Sequence, residues 1–169
     1  ASAIATYGHI NEWDTSNVNS MFLLFNGKPS FNDDIGNWNT SSVTDMNSMF
    51  NGATNFNRPL KSWNTSSVNS MVDMFFGATS FNQHLNSWNT SSVNSMEDMF
   101  HSASNFNQPL NSWNTSSVTD MGGMFSNASN FNQPLNSWDV SKINIYDAFA
   151  CDSALSKGNL PKGFSKCSS

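Results

Sequence analysis

Tryptophan recurs at a fixed interval along this chain. Each tryptophan lies 25 residues after the one before it, at Trp13, Trp38, Trp63, Trp88, Trp113 and Trp138. A fixed period of about 20–50 residues is typical of a solenoid, in which each repeat is one structural unit stacked on the next. The spacing therefore predicts one continuous stack of about six coils. It constrains the fold more than any local pattern does.

Other large apolar residues keep the same register. When each tryptophan is counted as position 1, apolar residues fall at positions 6, 9, 12, 13, 19 and 23, as in Val68, Met71, Met74, Phe75 and Phe81. A single repeat cannot bury its apolar face alone, but each neighbour covers it. Thioethers can also hold soft copper, yet the methionines share their columns with leucine, phenylalanine and tyrosine. We therefore interpret these columns as core and predict no metal site there.

Each repeat contains two different sequence patterns. In residues 41–53 the apolar side chains are spaced by three and four, which predicts a helix of two or three turns, partly 3₁₀. Proline and short apolar spacing predict a short strand near Leu60–Trp63. The fold class expected from the sequence is therefore an α/β solenoid, with one short strand and one short helical segment in each coil.

The two ends differ from the middle, which divides the single domain into three parts. We expect a partial repeat as N-terminal cap in residues 1–12, five 25-residue repeats in 13–137, and a degenerate repeat with the C-terminal cap in 138–169. Cys151 and Cys167, the two cysteines of the chain, both lie in the last part. We predict a disulfide between them, closing a loop of about 17 residues that contributes roughly 3 kcal/mol. Two free buried thiols are the alternative. A disulfide would place the protein in an oxidising compartment.

Composition excludes several classes of partner. Charged residues make up 11% of the chain, against about 25% in ordinary soluble proteins, and 27 asparagines fill much of the gap. The net charge is −5, and the seven basic residues are scattered. A nucleic-acid partner is excluded because it requires a concentrated basic patch, and an anionic membrane surface is disfavoured for the same reason. No apolar run approaches the roughly 20 residues that span a bilayer, and the first ten residues lack the features of a signal peptide.

The order W-x-x-S-x-V-x-x-M-x-x-M-F is kept in consecutive units, as from Trp38 to Phe50. This unit resembles the 25-residue repeat of the BspA-like leucine-rich repeat surface proteins, also described as the mycoplasma lipoprotein-type repeat. The resemblance extends from about Ile10 to Phe164. It implies a right-handed leucine-rich-repeat-like solenoid in a secreted or surface-exposed protein with an adhesion or binding role. The family offers no shared catalytic residues to carry over.

The sequence gives no sign of catalysis. No nucleophile elbow, phosphate-binding loop or zinc-protease motif occurs. Two of the three histidines, His9 and His84, lie three repeats apart, and we interpret all three as solvated members of columns. The adjacent Asp33 and Asp34 favour a solvated turn over a weak calcium site. Acidic residues that recur in the expected helical segment are read partly as N-terminal helix charges. We therefore predict no catalytic residue, no cofactor and no metal, and a protein that is not an enzyme.

Rows of polar residues supply the candidate binding surface. The first row is the threonine column at position 3, and the second lies next to the leucine column and should point outward. The proposed binding residues are Thr40, Thr65, Thr90, Thr115, Lys61, Asn86, Asn111 and Asn136. Asparagines at position 20 either belong to such a surface or satisfy turn backbones inside the stack, and we favour the internal role.

Glycosylation sequons of the form N-x-S/T also repeat. They begin at Asn39, Asn64, Asn89, Asn114 and Asn127. Duplication of a structural N-T-S-S turn explains the first four without glycans, and we favour this interpretation. The alternative is that these asparagines carry glycans, which requires a chain secreted by a eukaryote.

These rows lead to functional expectations of different classes. The first is a secreted or surface binding and adhesion module that presents neutral ladders to a protein or carbohydrate. The second is an ice-binding protein that uses a regular threonine and serine face. A third and weaker expectation is a structural subunit of a larger assembly. A flat, untwisted threonine row would favour ice, whereas a curved face with amide pockets would favour a ligand.

Overall fold

The apolar columns stack as predicted, but the coils that carry them are built from turns rather than from helices and strands. A computed structural model describes residues 3–167, so the outermost residues of both expected caps lie outside the described part. It contains a short helix α1 (Ala3–Tyr7) and two 3₁₀ segments, Ile10–Glu12 and Lys157–Asn159. Within the described residues, the repeats themselves contain neither a helix nor a strand. The predicted helix in 41–53 and the predicted strand near Leu60–Trp63 are therefore wrong.

Left-handed backbone explains why the apolar spacing of three and four does not produce a helix. Position 11 has a positive φ in every complete coil, as at Ser48 (54°) and Asp73 (56°), and so does position 15, as at Gly52 (70°). A left-handed residue interrupts the helical backbone. The segment instead becomes a run of β-turns, in which the N–H of Met49 donates to the carbonyl of Met46 and that of Asn51 to Ser48.

The remaining N–H groups of this segment connect neighbouring coils. The N–H of Ser48 donates to the carbonyl of Val72 (2.8 Å), and that of Phe50 donates to the carbonyl of Met74 (2.9 Å). Position 8 forms the parallel bridges between consecutive coils, at Ser20, Asp45, Ser70, Ser95, Asp120 and Ile145. Because every bridge is parallel, all coils run in the same direction. The solenoid predicted from the tryptophan spacing is confirmed in this form.

The core is a set of stacked side chains. In the interior coils, the apolar members of positions 6, 9, 12, 13, 19 and 23 are fully buried, and Trp63, Trp88 and Trp113 are nearly so. Rings at position 13 stack from coil to coil, with Phe50, Phe75 and Phe100 about 5.4–5.5 Å apart and within 6° of parallel. The methionines of positions 9 and 12 lie in this core, as interpreted from the sequence.

Each interior tryptophan also meets the hydrogen-bonding need of its indole. The Nε1–H of Trp88 donates to the carbonyl of Leu60 (3.1 Å), one coil back, and that of Trp113 donates to Leu85 (2.9 Å). A buried polar group without a partner would be costly. The tryptophan column therefore contributes both buried area and a polar link between coils.

The C-terminal end of the stack is closed. Cys151 and Cys167 form a disulfide, which confirms the prediction. Phe164 stacks on Tyr146 with ring centroids 4.4 Å apart and meets Phe149 edge-on at 5.0 Å. The carbonyl of Lys166 accepts the N–H of Ala150 (3.0 Å). The last residues therefore fold back over the final coil.

Candidate binding surface

The threonine column is internal. Thr40, Thr65, Thr90 and Thr115 are each only 1% exposed. The Oγ1 hydroxyl of Thr40 donates to the carbonyl of Asn64 in the next coil (3.0 Å), and Thr65 repeats this contact with Asn89 (3.0 Å). The expectation that this row faces a partner or ice is therefore wrong. A threonine hydroxyl can supply a donor between coils that the backbone does not provide, so the residue is used inside the stack.

The repeated sequon asparagines form turns. The Oδ1 of Asn39 accepts the N–H of Ser41 (3.1 Å) and the hydroxyl of the same serine (2.7 Å). Asn64 and Asn89 make the same pair of contacts, and Asn114 accepts the N–H of Ser116. This asparagine turn is the structural role expected from the duplication. The side chains are exposed, and glycosylation of these residues or of Asn127 stays a prediction.

Asparagines at position 20 form a ladder between coils. The N–H of Asn82 donates to the Oδ1 of Asn57 (3.0 Å), and the N–H of Asn107 donates to the Oδ1 of Asn82 (3.0 Å). Glutamines at position 21 join the ladder, since the Nε2 of Gln108 donates to the Oδ1 of Asn82 (3.0 Å). The ladder satisfies turn backbones as expected, yet its side chains are only partly buried. It therefore also reaches the surface.

The outward row beside the leucine column is located as predicted. Lys61, Asn111 and Asn136 are exposed, and Asn86 is half-buried. The Oδ1 of Asn86 accepts the N–H of Ser112 (3.0 Å), and its Nδ2 donates to the hydroxyl of the same serine (3.1 Å). The amide groups of Asn111 and Asn136 make no hydrogen bond with any described residue.

We treat the two rows as one surface, because Gln83 of the ladder and Lys61 of the outward row line the same groove. We call it the amide face, and it comprises Asn82, Gln83, Asn86, Asn107, Gln108, Asn111, Gln133 and Asn136. A shallow groove of about 180 Å³ lies at its edge, lined by Pro59, Lys61, Gln83 and His84. The neighbouring hydrogen bonds fix several of these amides in place, so the face presents donors and acceptors with little conformational freedom.

An acidic cluster on three consecutive coils was not predicted from the sequence. It comprises Asp73, Glu97, Asp98 and Asp120. The sequence predicts only that some of the recurring aspartates are N-terminal helix charges, and it does not single out Glu97. His101 approaches Asp98 through its Nδ1 at 2.8 Å and stacks on Phe76 with ring centroids 4.6 Å apart. The signal was the recurrence of carboxylates at positions 8, 10 and 11 of adjacent coils. A prediction made within a single repeat misses it, because the carboxylates meet only when adjacent coils stack.

Burial and mutual repulsion perturb two carboxyls of this cluster. Desolvation raises the pKa of Asp73, with the charge of Asp98 adding to the effect and His101 opposing it. Desolvation also raises the pKa of Glu97, together with the charges of Asp120, Asp98 and Asp73. The cluster is therefore a source of electrostatic strain in the native state at neutral pH.

Other candidate residues stay apart. The Oδ1 of Asp34 accepts the N–H of Gly36 (3.0 Å), which is the solvated turn expected for the pair Asp33 and Asp34. Over residues 3–167, no group of three or more histidine, cysteine or acidic side chains is placed to hold a metal ion. His9 and His84 line different surface grooves, and the Nδ1 of His101 lies 2.8 Å from Asp98.

The geometry defines the class of protein as a parallel solenoid of 25-residue coils, linked through turns and amide ladders rather than through a regular sheet. The family described as "Mycoplasma protein of unknown function, DUF285" matches residues 1–89 and, again, residues 61–160. The chain belongs to this family. No curated protein and no solved structure matches it. In the described part of the chain, no helix has the length and apolar character needed to cross a membrane.

Proposed function

We propose that this protein is a non-catalytic binding module, secreted or exposed at a cell surface, whose amide face contacts an extended neutral partner of protein or carbohydrate. The observation that carries the proposal is the ladder of amides at fixed spacing across consecutive coils. An extended partner with its own repeat of hydroxyl or amide groups could engage several coils at once. Each coil then adds a similar contact, which is how solenoids commonly bind.

Three further features support this proposal. The face carries few charges, so neutral hydrogen bonding would dominate over salt-dependent attraction. The disulfide between Cys151 and Cys167 fits an oxidising compartment. The likeness of the repeat to the BspA-like leucine-rich repeat surface proteins, on which adhesion roles are usually placed, points to the same class of function.

The direct test replaces two unengaged amides of this face. The double variant Asn111→Ala/Asn136→Ala removes exposed side chains that make no hydrogen bond within the described residues, so the stability of the stack should be unchanged. Binding to an arrayed carbohydrate or to a captured protein partner should weaken about tenfold if two hydrogen bonds to the partner are lost. A glycan array and a pull-down distinguish the two kinds of partner.

A matched control lies outside the amide face. Asn69 and Asn94 are exposed asparagines at position 7, and their side chains also make no hydrogen bond within residues 3–167. The variant Asn69→Ala/Asn94→Ala should bind as the original protein does. Equal losses in both variants, or no loss in either, would rule out the amide face as the binding surface.

Ice binding is a second candidate, because equivalent side chains of successive coils are nearly parallel. The rings of Trp63 and Trp88 are within 4° of parallel, and those of Trp113 and Trp138 within 5°. Ordered rows at such low twist suit a lattice of water. The threonine row is buried, so the exposed serines at position 5, such as Ser67 and Ser92, would have to supply the face.

A thermal hysteresis measurement decides this second candidate. Activity in the original protein that is lost in Ser67→Tyr/Ser92→Tyr would establish ice binding. Absence of hysteresis and of ice shaping at millimolar protein would reject it.

A further inference from the structure

A row of ring side chains accompanies the amide face. Position 22 holds a ring in four consecutive coils, at Pro59, His84, Pro109 and Pro134, and all of them are exposed or half-buried. In the last three of these coils the ring follows a glutamine and precedes, by two residues, an asparagine. Pro59 and His84 line one groove together with Gln83 and Lys61. The face therefore carries a strip of apolar rings flanked by amides.

The amides beside the rings keep part of their hydrogen-bonding capacity free. The Nε2 of Gln83 donates to the Oδ1 of Asn57 (2.8 Å), and the Nε2 of Gln133 donates to the Oδ1 of Asn107 (3.0 Å). These bonds hold the glutamine side chains in place, yet the Oε1 atoms of Gln83 and Gln133 accept no hydrogen bond from any residue within 3–167. Amides offer donors and an acceptor, as hydroxyls do. Each coil therefore presents ordered groups that suit a partner rich in hydroxyls.

The strip repeats from coil to coil in nearly one orientation. Positions 19 and 1 bracket it in sequence, and their rings are nearly parallel between coils: Phe56 and Phe81 lie within 5°, and Trp63 and Trp88 within 4°. The ring centroids of Phe56 and Phe81 are 6.0 Å apart. This step is comparable to the length that one sugar unit adds to an extended chain. A partner that matches the strip must therefore be extended and must itself repeat.

On the basis of the binding function proposed for the amide face, we propose that its ligand is a neutral, β-linked polysaccharide that lies along the stack. A pyranose ring carries C–H groups on its faces and hydroxyls around its edge. The C–H groups would pack on the rings at position 22, and the hydroxyls would bond to the amides beside them. Chains with equatorial β-linkages form extended ribbons, whereas many α-linked chains coil. A β-linked chain therefore fits a strip that keeps one orientation.

A peptide fits this face less well. Extended peptides are commonly held through their main chain by an open strand edge. Over residues 3–167 the structure contains no strand, so the amide face offers no such edge. Among the residues that line the groove, Lys61 is the one with a permanent charge. Acidic polysaccharides, which need a concentration of basic side chains, are disfavoured for that reason.

Affinity electrophoresis of the intact protein tests the proposal. Native gels contain one soluble β-linked polysaccharide each, a glucan, a mannan, a xylan or glycol chitin, and parallel gels contain the α-linked glucans dextran and pullulan. At least one β-linked polysaccharide should retard the protein in a concentration-dependent way, and neither α-linked glucan should. Pro59→Ala/His84→Ala should raise the dissociation constant about tenfold, because it removes two rings that the sugar would cover.

Two matched variants separate the ring from other effects. His84→Pro keeps a ring of the kind found in the neighbouring coils, and the N–H that it removes makes no hydrogen bond within residues 3–167. It should bind more tightly than His84→Ala. Ile145→Ala removes an exposed apolar side chain at position 8, outside the face, and should bind as the original protein does. Thermal unfolding of each variant verifies that the stack is intact.

Several outcomes would overturn the proposal. They are retardation by none of the β-linked polysaccharides, equal retardation by the α-linked glucans, and polysaccharide binding that Pro59→Ala/His84→Ala leaves unchanged. If no polysaccharide binds but a captured protein does, and if that binding is lost in Asn111→Ala/Asn136→Ala, the ligand class is wrong and the binding function of the amide face stands. Polysaccharide binding that neither double variant weakens would reject both.

Discussion

At the scale of single residues, the coil depends on two left-handed positions. Position 15 is glycine in three coils, but it is Ser102 in the fourth complete coil, with φ of 57°. Residues with a Cβ atom adopt this conformation at a cost of roughly 1 kcal/mol, whereas glycine adopts it freely. The same fold is therefore built with unequal local strain from one coil to the next.

We expect Ser102→Gly to raise the free energy of unfolding by about 1 kcal/mol, because it removes this strain. The reciprocal change is Gly77→Ala, at φ of 62°, where an added Cβ atom would meet no other atom within 4 Å. It should lower stability by a similar amount through backbone conformation alone. Denaturant titration of both variants measures the two effects. Changes of the same sign in both would contradict the assignment of left-handed strain.

At the scale of structural elements, the C-terminal cap replaces the neighbour that the last coil lacks. Interior coils are held on two sides by backbone bonds such as Gly77 to His101 (2.8 Å). Within residues 3–167, the final coil has a neighbouring coil on one side only, and Phe164 with the disulfide covers the other. The cap therefore contributes most to the coil with the fewest interactions of its own.

We predict that Cys151→Ser/Cys167→Ser lowers the free energy of unfolding by about 3 kcal/mol, the value expected for closing a loop of this length. Loss of structure should begin in the last coil. In hydrogen exchange, the amide of Ala150, bonded to Lys166, should lose protection before that of Phe75, which lies in an interior coil. Simultaneous loss at both amides would show that the cap does not unfold separately. Mass spectrometry of the non-reduced protein provides the reference for the intact disulfide.

At the scale of the whole molecule, stacking in parallel brings charges on different coils together. The acidic cluster spans three coils, and its raised pKa values at Asp73 and Glu97 are a consequence of burial and of this repeated placement. When the folded pKa of an acid exceeds its unfolded value, the native state binds more protons. Its contribution to stability is then fully present below the unfolded value and is lost as pH rises through the folded pKa.

We therefore expect the melting temperature at low salt to rise as pH is lowered from 7 towards 4.5, the ordinary value of a glutamate. Asp73→Asn/Glu97→Gln should flatten this slope and raise the melting temperature at pH 7. Glu12→Gln/Asp33→Asn, outside the cluster, should retain the slope. Hydrogen bonds from serines lower the pKa of Asp14 and Asp139. These two groups affect stability with the opposite sign, and they do so only below about pH 3.8, the ordinary value of an aspartate. A melting temperature that falls between pH 7 and 4.5 would contradict the assignment.

The sequence by itself determined the period, the core and the position of the disulfide. Side chains such as Trp88 and Phe106 recur in strict register, and a stack is the arrangement that buries all of them together. Only the tertiary structure decided between helix and turns. Apolar spacing of three and four, as at Met46, Met49 and Phe50, is compatible with a helix and with a run of turns. The turns form because carbonyls of the next coil accept every second N–H group of this segment. The location of Thr65 was decided in the same way, because its hydroxyl is drawn inside by a carbonyl 24 residues away in the chain.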